Sequence, residues 1–142
     1  MGVNAQDIGR EKDRLPRGWG RFGKAIEQLA GICEPDESLL STCVTVNPQF
    51  RHTSVTLAGG LVEMTGSTNV ILAATSKRLI VISTGIGGAP RKHYDLSWSG
   101  LQIIDRKKQE FTLRSEVGEI RFRGAAKQMM PGFLDAVEQK AG

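Results

Sequence analysis

The chain is short of the residues that most often announce chemistry. It has two cysteines, two histidines and one tyrosine in 142 residues. Cys33 and Cys43 form no CxxC motif, and neither His52 nor His93 has a ligand-spaced companion. A zinc site needs three or four clustered ligands, so no metal is expected. No apolar run approaches the ~18–20 residues of a membrane-spanning helix. The first residues carry no hydrophobic signal core, and Gln6 stands where a myristoylation motif needs Ser or Thr. A cytoplasmic location with reduced thiols is therefore expected. No Walker-type phosphate loop occurs. Gly85-Ile-Gly-Gly88 runs into Pro90 and the alternating Lys92, Tyr94 and Leu96, a strand pattern. A dinucleotide loop would open a helix there, so the glycines read as a turn and no cofactor is expected.

What is present is an ordinary globular composition. Apolar residues make up 39% of the chain, and the length suits one domain. The formal charge is +4 and unevenly spread: net +2 over 1–30, −3 over 31–76 and +5 over 77–142. A basic C-terminal half attracts phosphate, in lipid headgroups or nucleic acid, only where its cations are not paired locally.

Residues 1–20 are polar and broken by Pro16, Gly18 and Gly20, and read as a flexible basic tail. At its end, 17–24 interleaves Arg17, Arg21 and Lys24 with Trp19 and Phe22. Such a segment suits a membrane surface, or Trp19 folds back onto the domain. Phe22, Ile26, Leu29 and Cys33 form one helical stripe, so a helix is expected over 21–32, ended by Pro35. Strands are expected at Leu40–Val46, Val70–Ala74, Leu79–Ile82, Lys92–Leu96 and Leu101–Ile104, with a half-buried hairpin over 110–123. Val70–Ala74 and Leu79–Ile82 are apolar on both faces and must be covered twice, by the helix at 21–32 or by a neighbouring subunit. Met130, Phe133, Leu134 and Val137 predict a C-terminal helix at 126–139, which Pro131 kinks or restarts. Helix, about seven short strands and helix predict a small barrel or paired orthogonal sheets. The domain occupies 21–142, with a long apolar insertion at 47–69 between the first two strands. Its Val55, Leu57, Leu61, Val62 and Met64 are candidate interface residues.

The hairpin at 110–123 can be registered from its alternation. Phe111 opposite Phe122 and Leu113 opposite Ile120 place all four on one face. Arg114 then faces Glu119 and Arg123 faces Glu110, leaving Arg121 opposite Thr112 without an acid. Two basic clusters survive this pairing as candidate anion or lipid sites: Arg91-Lys92-His93 and Arg106-Lys107-Lys108. Each also reads as a solvated face. Cys33 and Cys43 read as small core residues. The alternative is a thiol enzyme, with Cys43 as nucleophile and His52 or His93 as base.

The run Val70-Ile-Leu-Ala-Ala-Thr-Ser-Lys-Arg-Leu-Ile-Val-Ile82 resembles the T-x-K-R-L-I hairpin of bacterial pleckstrin-homology-like domains, especially the YokE-like group. Tyr94-Asp-Leu96, Leu101-Gln-Ile103, Phe111-Thr-Leu113, Glu119-Ile-Arg-Phe122 and the terminal helix are similar to the rest of that family in order, over roughly 22–140. The resemblance implies two roughly orthogonal antiparallel sheets closed by a C-terminal helix, and a binding or assembly module. Eukaryotic members often bind phosphoinositides through basic residues between the first two strands. Here that stretch offers only Arg51 with His52 beside it, a departure that counts against this ligand. The expectation is a non-catalytic module acting through a protein partner or self-assembly. Contact with anionic membrane through Arg91, Lys92, Arg106, Lys107 and Trp19 is the alternative. Nucleic acid ranks below both, because aromatic–basic interleaving is confined to the tail.

Overall fold

The computed structural model describes residues 5–51, 69–115 and 118–141. It is mainly β. Among these residues there are seven antiparallel strands: β1 Leu39–Arg51, β2 Asn69–Thr75, β3 Leu79–Thr84, β4 Pro90–Leu96, β5 Gln102–Lys107, β6 Glu110–Ser115 and β7 Gly118–Arg123. They hydrogen-bond in the order β4-β3-β2-β1-β7-β6-β5. Among the described residues hydrogen bonding thus makes one continuous sheet, where two had been expected, and it is not closed: β4 and β5 are its two edges. The reason is the length of β1. Its first half pairs with β2 (Leu39 to Val46) and its second half with β7 (Val46 to Arg51), so a single strand joins both halves of the sheet.

This strand runs five residues past the expected end at Val46, through Pro48. Proline removes a ladder donor, but Pro48 falls in the irregularity between the Val46 and Gln49 pairings with β7, where the ladder is already interrupted. The insertion expected at 47–69 therefore begins as strand.

The hairpin β6–β7 has the register its alternation predicts, with Phe111 opposite Phe122 and Leu113 opposite Ile120. All four are buried, and Phe111 also meets Phe133 at 6.0 Å between ring centres. Arg114 pairs with Glu119 as expected (3.2 Å). The second pairing is corrected: Glu110 binds Arg121, not Arg123. Diagonal neighbours on a strand pair lie within reach of long side chains, and Arg121 reaches diagonally past Thr112.

Both faces of β2 and β3 are covered within the one chain. Val70–Ala74 and Leu79–Ile82 are all buried. The C-terminal helix, α4 (Met130–Ala141), packs across β1, β2 and β5. It starts at Met130 rather than 126, with Pro131 in the first turn, where a missing N–H costs nothing. On the N-terminal side a 3-10 turn (Gly20–Phe22) leads into α2 (Gly23–Glu27) and α3 (Leu29–Ile32). The one helix expected over 21–32 is thus broken into three short pieces; of its stripe, Phe22, Ile26 and Leu29 join the core and Cys33 packs against it half-buried, while Ala25, outside the stripe, is buried with them. Trp19 folds back edge-on to Phe22, at 6.0 Å.

The expected tail at 1–20 is corrected too: Ala5–Asp13 forms a helix, α1, that buries Ile8 and Glu11. Glu11 is the cause. Its buried carboxylate accepts hydrogen bonds from Thr42 N–H (2.7 Å), Thr42 Oγ1 (2.9 Å), Arg10 Nε (2.8 Å) and Arg14 Nη1 (3.2 Å). Arg14 also donates to Ser41 Oγ (3.1 Å) and to the Met129 carbonyl (3.4 Å). A polar helix is docked here by buried charge rather than by an apolar stripe.

The turn between β2 and β3 has a comparable role. Arg78 donates to both oxygens of buried Glu37 (3.0 Å each), to Asp95 (2.6 Å) and to the Ile32 carbonyl (3.0 Å). Thr75 Oγ1 donates to Glu37 (2.5 Å), and Lys77 pairs with Glu34 and Asp36. The acidic patch at 34–37 is thus held by Thr75, Lys77 and Arg78, the residues that carry the T-x-K-R pattern: Lys77 and Arg78 by ion pairs and Thr75 by a hydrogen bond. Burial alone would push the Glu37 carboxyl up; the Arg78, Thr75 and Glu34 N–H hydrogen bonds outweigh it and hold the group down at about 2.

Candidate functional site

The open edge at β5 forms one wall of a groove. The strand enters from a turn in which Leu101 N–H bonds the Trp98 carbonyl (3.2 Å) and Gly100 takes a left-handed φ of 77°. It then runs alongside α4 in the opposite direction. Between them lies a groove of about 450 Å³ whose apolar lining comes from Leu101, Ile103, Val137 and Ala141. Arg106 and Glu138 form an ion pair at its rim (2.9 Å). Leu101 and Val137 are buried, Ile103 and Ala141 half-buried and Gln102 exposed. The backbone of β5 pairs with β6 on one side only, among the described residues. An unpaired strand edge presents a row of N–H and C=O groups to whatever lies beside it.

At the far end of β5 a second, smaller cavity of about 190 Å³ opens. Arg106, Lys107, Lys108 and Gln109 line it from the β5–β6 turn, and Lys127, Met130 and Pro131 from the start of α4. The turn is held in shape by reciprocal bonds: Ala125 N–H to the Gln109 carbonyl (3.0 Å) and Gln109 Nε2 to the Ala125 carbonyl (3.2 Å). Gln109 pays for this with a left-handed φ of 55°. The cluster Arg106-Lys107-Lys108 therefore does line a cavity, and Lys127 joins it. Lys127 lies in neither cluster in sequence; it is a lone basic residue near the start of the helix expected at 126–139, and it falls just ahead of the observed α4.

The other basic cluster sits elsewhere. Arg91, Lys92 and His93 are exposed on β4, at the opposite end of the strand order. Lys92 is tied through its backbone to Ser83 Oγ (3.1 Å). Charge on an edge strand discourages pairing with another chain. The glycine segment ahead of it is a turn: Gly88 has φ 80°, and a Cβ there would lie 2.8 Å from the Arg21 carbonyl oxygen. Val55, Leu57, Leu61, Val62, Met64 and His52 lie outside the described residues.

Burial disfavours the thiolate form of both cysteines: it pushes Cys43 up to about 12 and Cys33 up to about 11. Among the described residues no group of three or more His, Cys, Asp and Glu is placed to hold a metal ion. No helix among them is long and apolar enough to cross a membrane. No protein-family model matches the chain, and no curated protein matches its sequence.

Proposed function

We propose that this chain is a non-catalytic, pleckstrin-homology-like binding module that takes an extended segment of a partner protein along β5. The observation that carries the reading is the groove between the unpaired β5 edge and α4. A segment lying there adds a strand: its backbone satisfies the free edge, and alternate side chains enter the apolar lining. A mainly β fold, an antiparallel sheet with a helix after its last strand, supports the reading at that coarser level. Self-assembly through that hairpin loses its motive, because its two faces are covered by the chain itself.

The test is a titration with a short peptide of alternating valine and threonine, followed by backbone amide shifts. The Gln102–Ile104 amides should move most. Ala141→Trp, which fills the groove from the end of α4, should weaken binding about tenfold or more without lowering the melting temperature. Shifts centred on β4 instead would remove the reading. The exposed Arg91, Lys92 and His93 on β4 support a second reading, contact with anionic lipid. Co-sedimentation with phosphatidylserine vesicles at low salt, lost at high salt, would be its signature.

A further inference from the structure

The groove and the basic cavity are two parts of one track. β5 runs from the groove residues Leu101–Ile103 to the cavity residues Lys107 and Lys108, while α4 runs the other way, from Met130 at the cavity to Ala141 at the groove. Arg106 lines both. The charge along the track is one-sided. Arg106 is balanced by Glu138, but Lys107, Lys108 and Lys127 have no ion-pair partner among the described residues. Of the acids close to it in sequence, Glu110 binds Arg121, and neither Asp105 nor Asp135 lines the cavity. Nor does the cavity rely on the start of α4 for its positive field, since Pro131 has no N–H and Met130 N–H already bonds the Ala126 carbonyl (2.9 Å).

We infer that the segment taken by β5 is acidic at its N-terminal end and apolar after it, with the acidic residues seated in the Lys107–Lys108–Lys127 cavity. This rests on the groove reading and deepens it by giving the partner a charge and a direction. The direction follows from the sheet. Every pairing in it is antiparallel, and an antiparallel newcomer places its first residues beside the last residues of β5. The register irregularity between Ile104 and Lys107 reinforces the division. Regular edge pairing is available at Gln102–Ile104, and beyond it Asp105 turns through a left-handed φ of 50°, carrying the chain toward the cavity. Strand addition supplies contacts at one end, and charge complementarity at the other selects the partner and its polarity.

The experiment uses the whole chain and three labelled peptides followed by fluorescence anisotropy. The first has aspartates followed by alternating valine and threonine. The second has the same blocks in reverse order, and the third has serines in place of the aspartates. At low salt the first should bind about tenfold more tightly than the third, and the reversed peptide should lose that advantage. The triple variant Lys107→Gln/Lys108→Gln/Lys127→Gln should erase the difference, bringing the aspartate peptide's affinity down to that of the serine peptide. Equal binding of the aspartate and serine peptides overturns the inference but leaves the groove reading standing. A preference for the reversed peptide overturns the direction. No binding of any peptide removes both. A concentration-dependent dimer in sedimentation, abolished by Ala141→Trp, assigns the groove to a second copy and overturns the inference. Phosphatidylserine binding lost in the triple variant, without any peptide preference, overturns it in favour of lipid.

Discussion

Glu37 and Glu11 show what a buried carboxylate does when its partners are supplied. Each is fully buried and each receives several hydrogen bonds, one from the β2–β3 turn and one from β1 and its own helix. Breaking such a group is costly because the donors it served are left unpaired. For Glu37 the consequence depends on pH. Its folded value, about 2, lies below its ordinary value of 4.5, so the folded state favours the ionised form. The stability it adds is complete above the ordinary value and disappears as pH falls through about 2. The advantage of the wild type over Glu37→Gln, measured by urea midpoints at neutral pH, should shrink steadily below pH 4.5 and vanish near 2. A constant gap across that range would mean that Glu37 acts through packing and not through charge.

Among the elements, α4 shows how one residue is tolerated at one place and damaging a turn later. Pro131 lies in the first turn of the helix, where its missing N–H has no intrahelical partner to lose. Pro131→Ala should change stability by less than about 1 kcal/mol in urea unfolding. Asp135→Pro, at an exposed position in the helix interior, should cost about 3 kcal/mol or more. The same local physics decides what was legible in the amino-acid order. Alternation places Phe111, Leu113, Ile120 and Phe122 on one face and sets the β6–β7 register, since a one-residue slip would turn all four to solvent. The stripe of Phe22, Ile26 and Leu29 is legible for the same reason. By contrast α1 has no such stripe, because its docking residue is a glutamate whose long-range donor, Thr42, lies on β1, far along the chain. The choice of Arg121 over Arg123 by Glu110 is a matter of side-chain reach, which register alone does not specify. The groove draws on Leu101, Ile103, Val137 and Ala141, residues that only the antiparallel course of β5 and α4 brings together. Half of the cavity was visible as Arg106-Lys107-Lys108, and its Lys127 half arrives from beyond β7.

For the molecule as a whole, burial is graded across the sheet. β2 and β3 are buried almost end to end, while β4 and β5 expose most of their length. Hydrogen exchange should follow this grading, with the slowest amides in β2 and β3 and faster exchange along both edges. Uniform protection across all seven strands would contradict an open sheet. The +4 charge takes on a shape at this scale. Lys77, Arg78, Arg106, Arg114 and Arg121 are all matched to acids, which leaves Lys107, Lys108 and Lys127 at the cavity where β5 ends as one concentration of the C-terminal excess, with the exposed Arg91 on β4 at the other edge. The long strand β1 carries a further consequence, one of time. It is synthesised early, yet the second half of its length pairs with β7, which follows β2 to β6 off the ribosome. A nascent chain therefore holds a half-paired central strand until nearly the whole domain has emerged. Contacts so distant in sequence make folding slow and leave apolar strands open to wrong partners in the interval. The feature that unites the finished sheet is thus the one whose pairing is completed last.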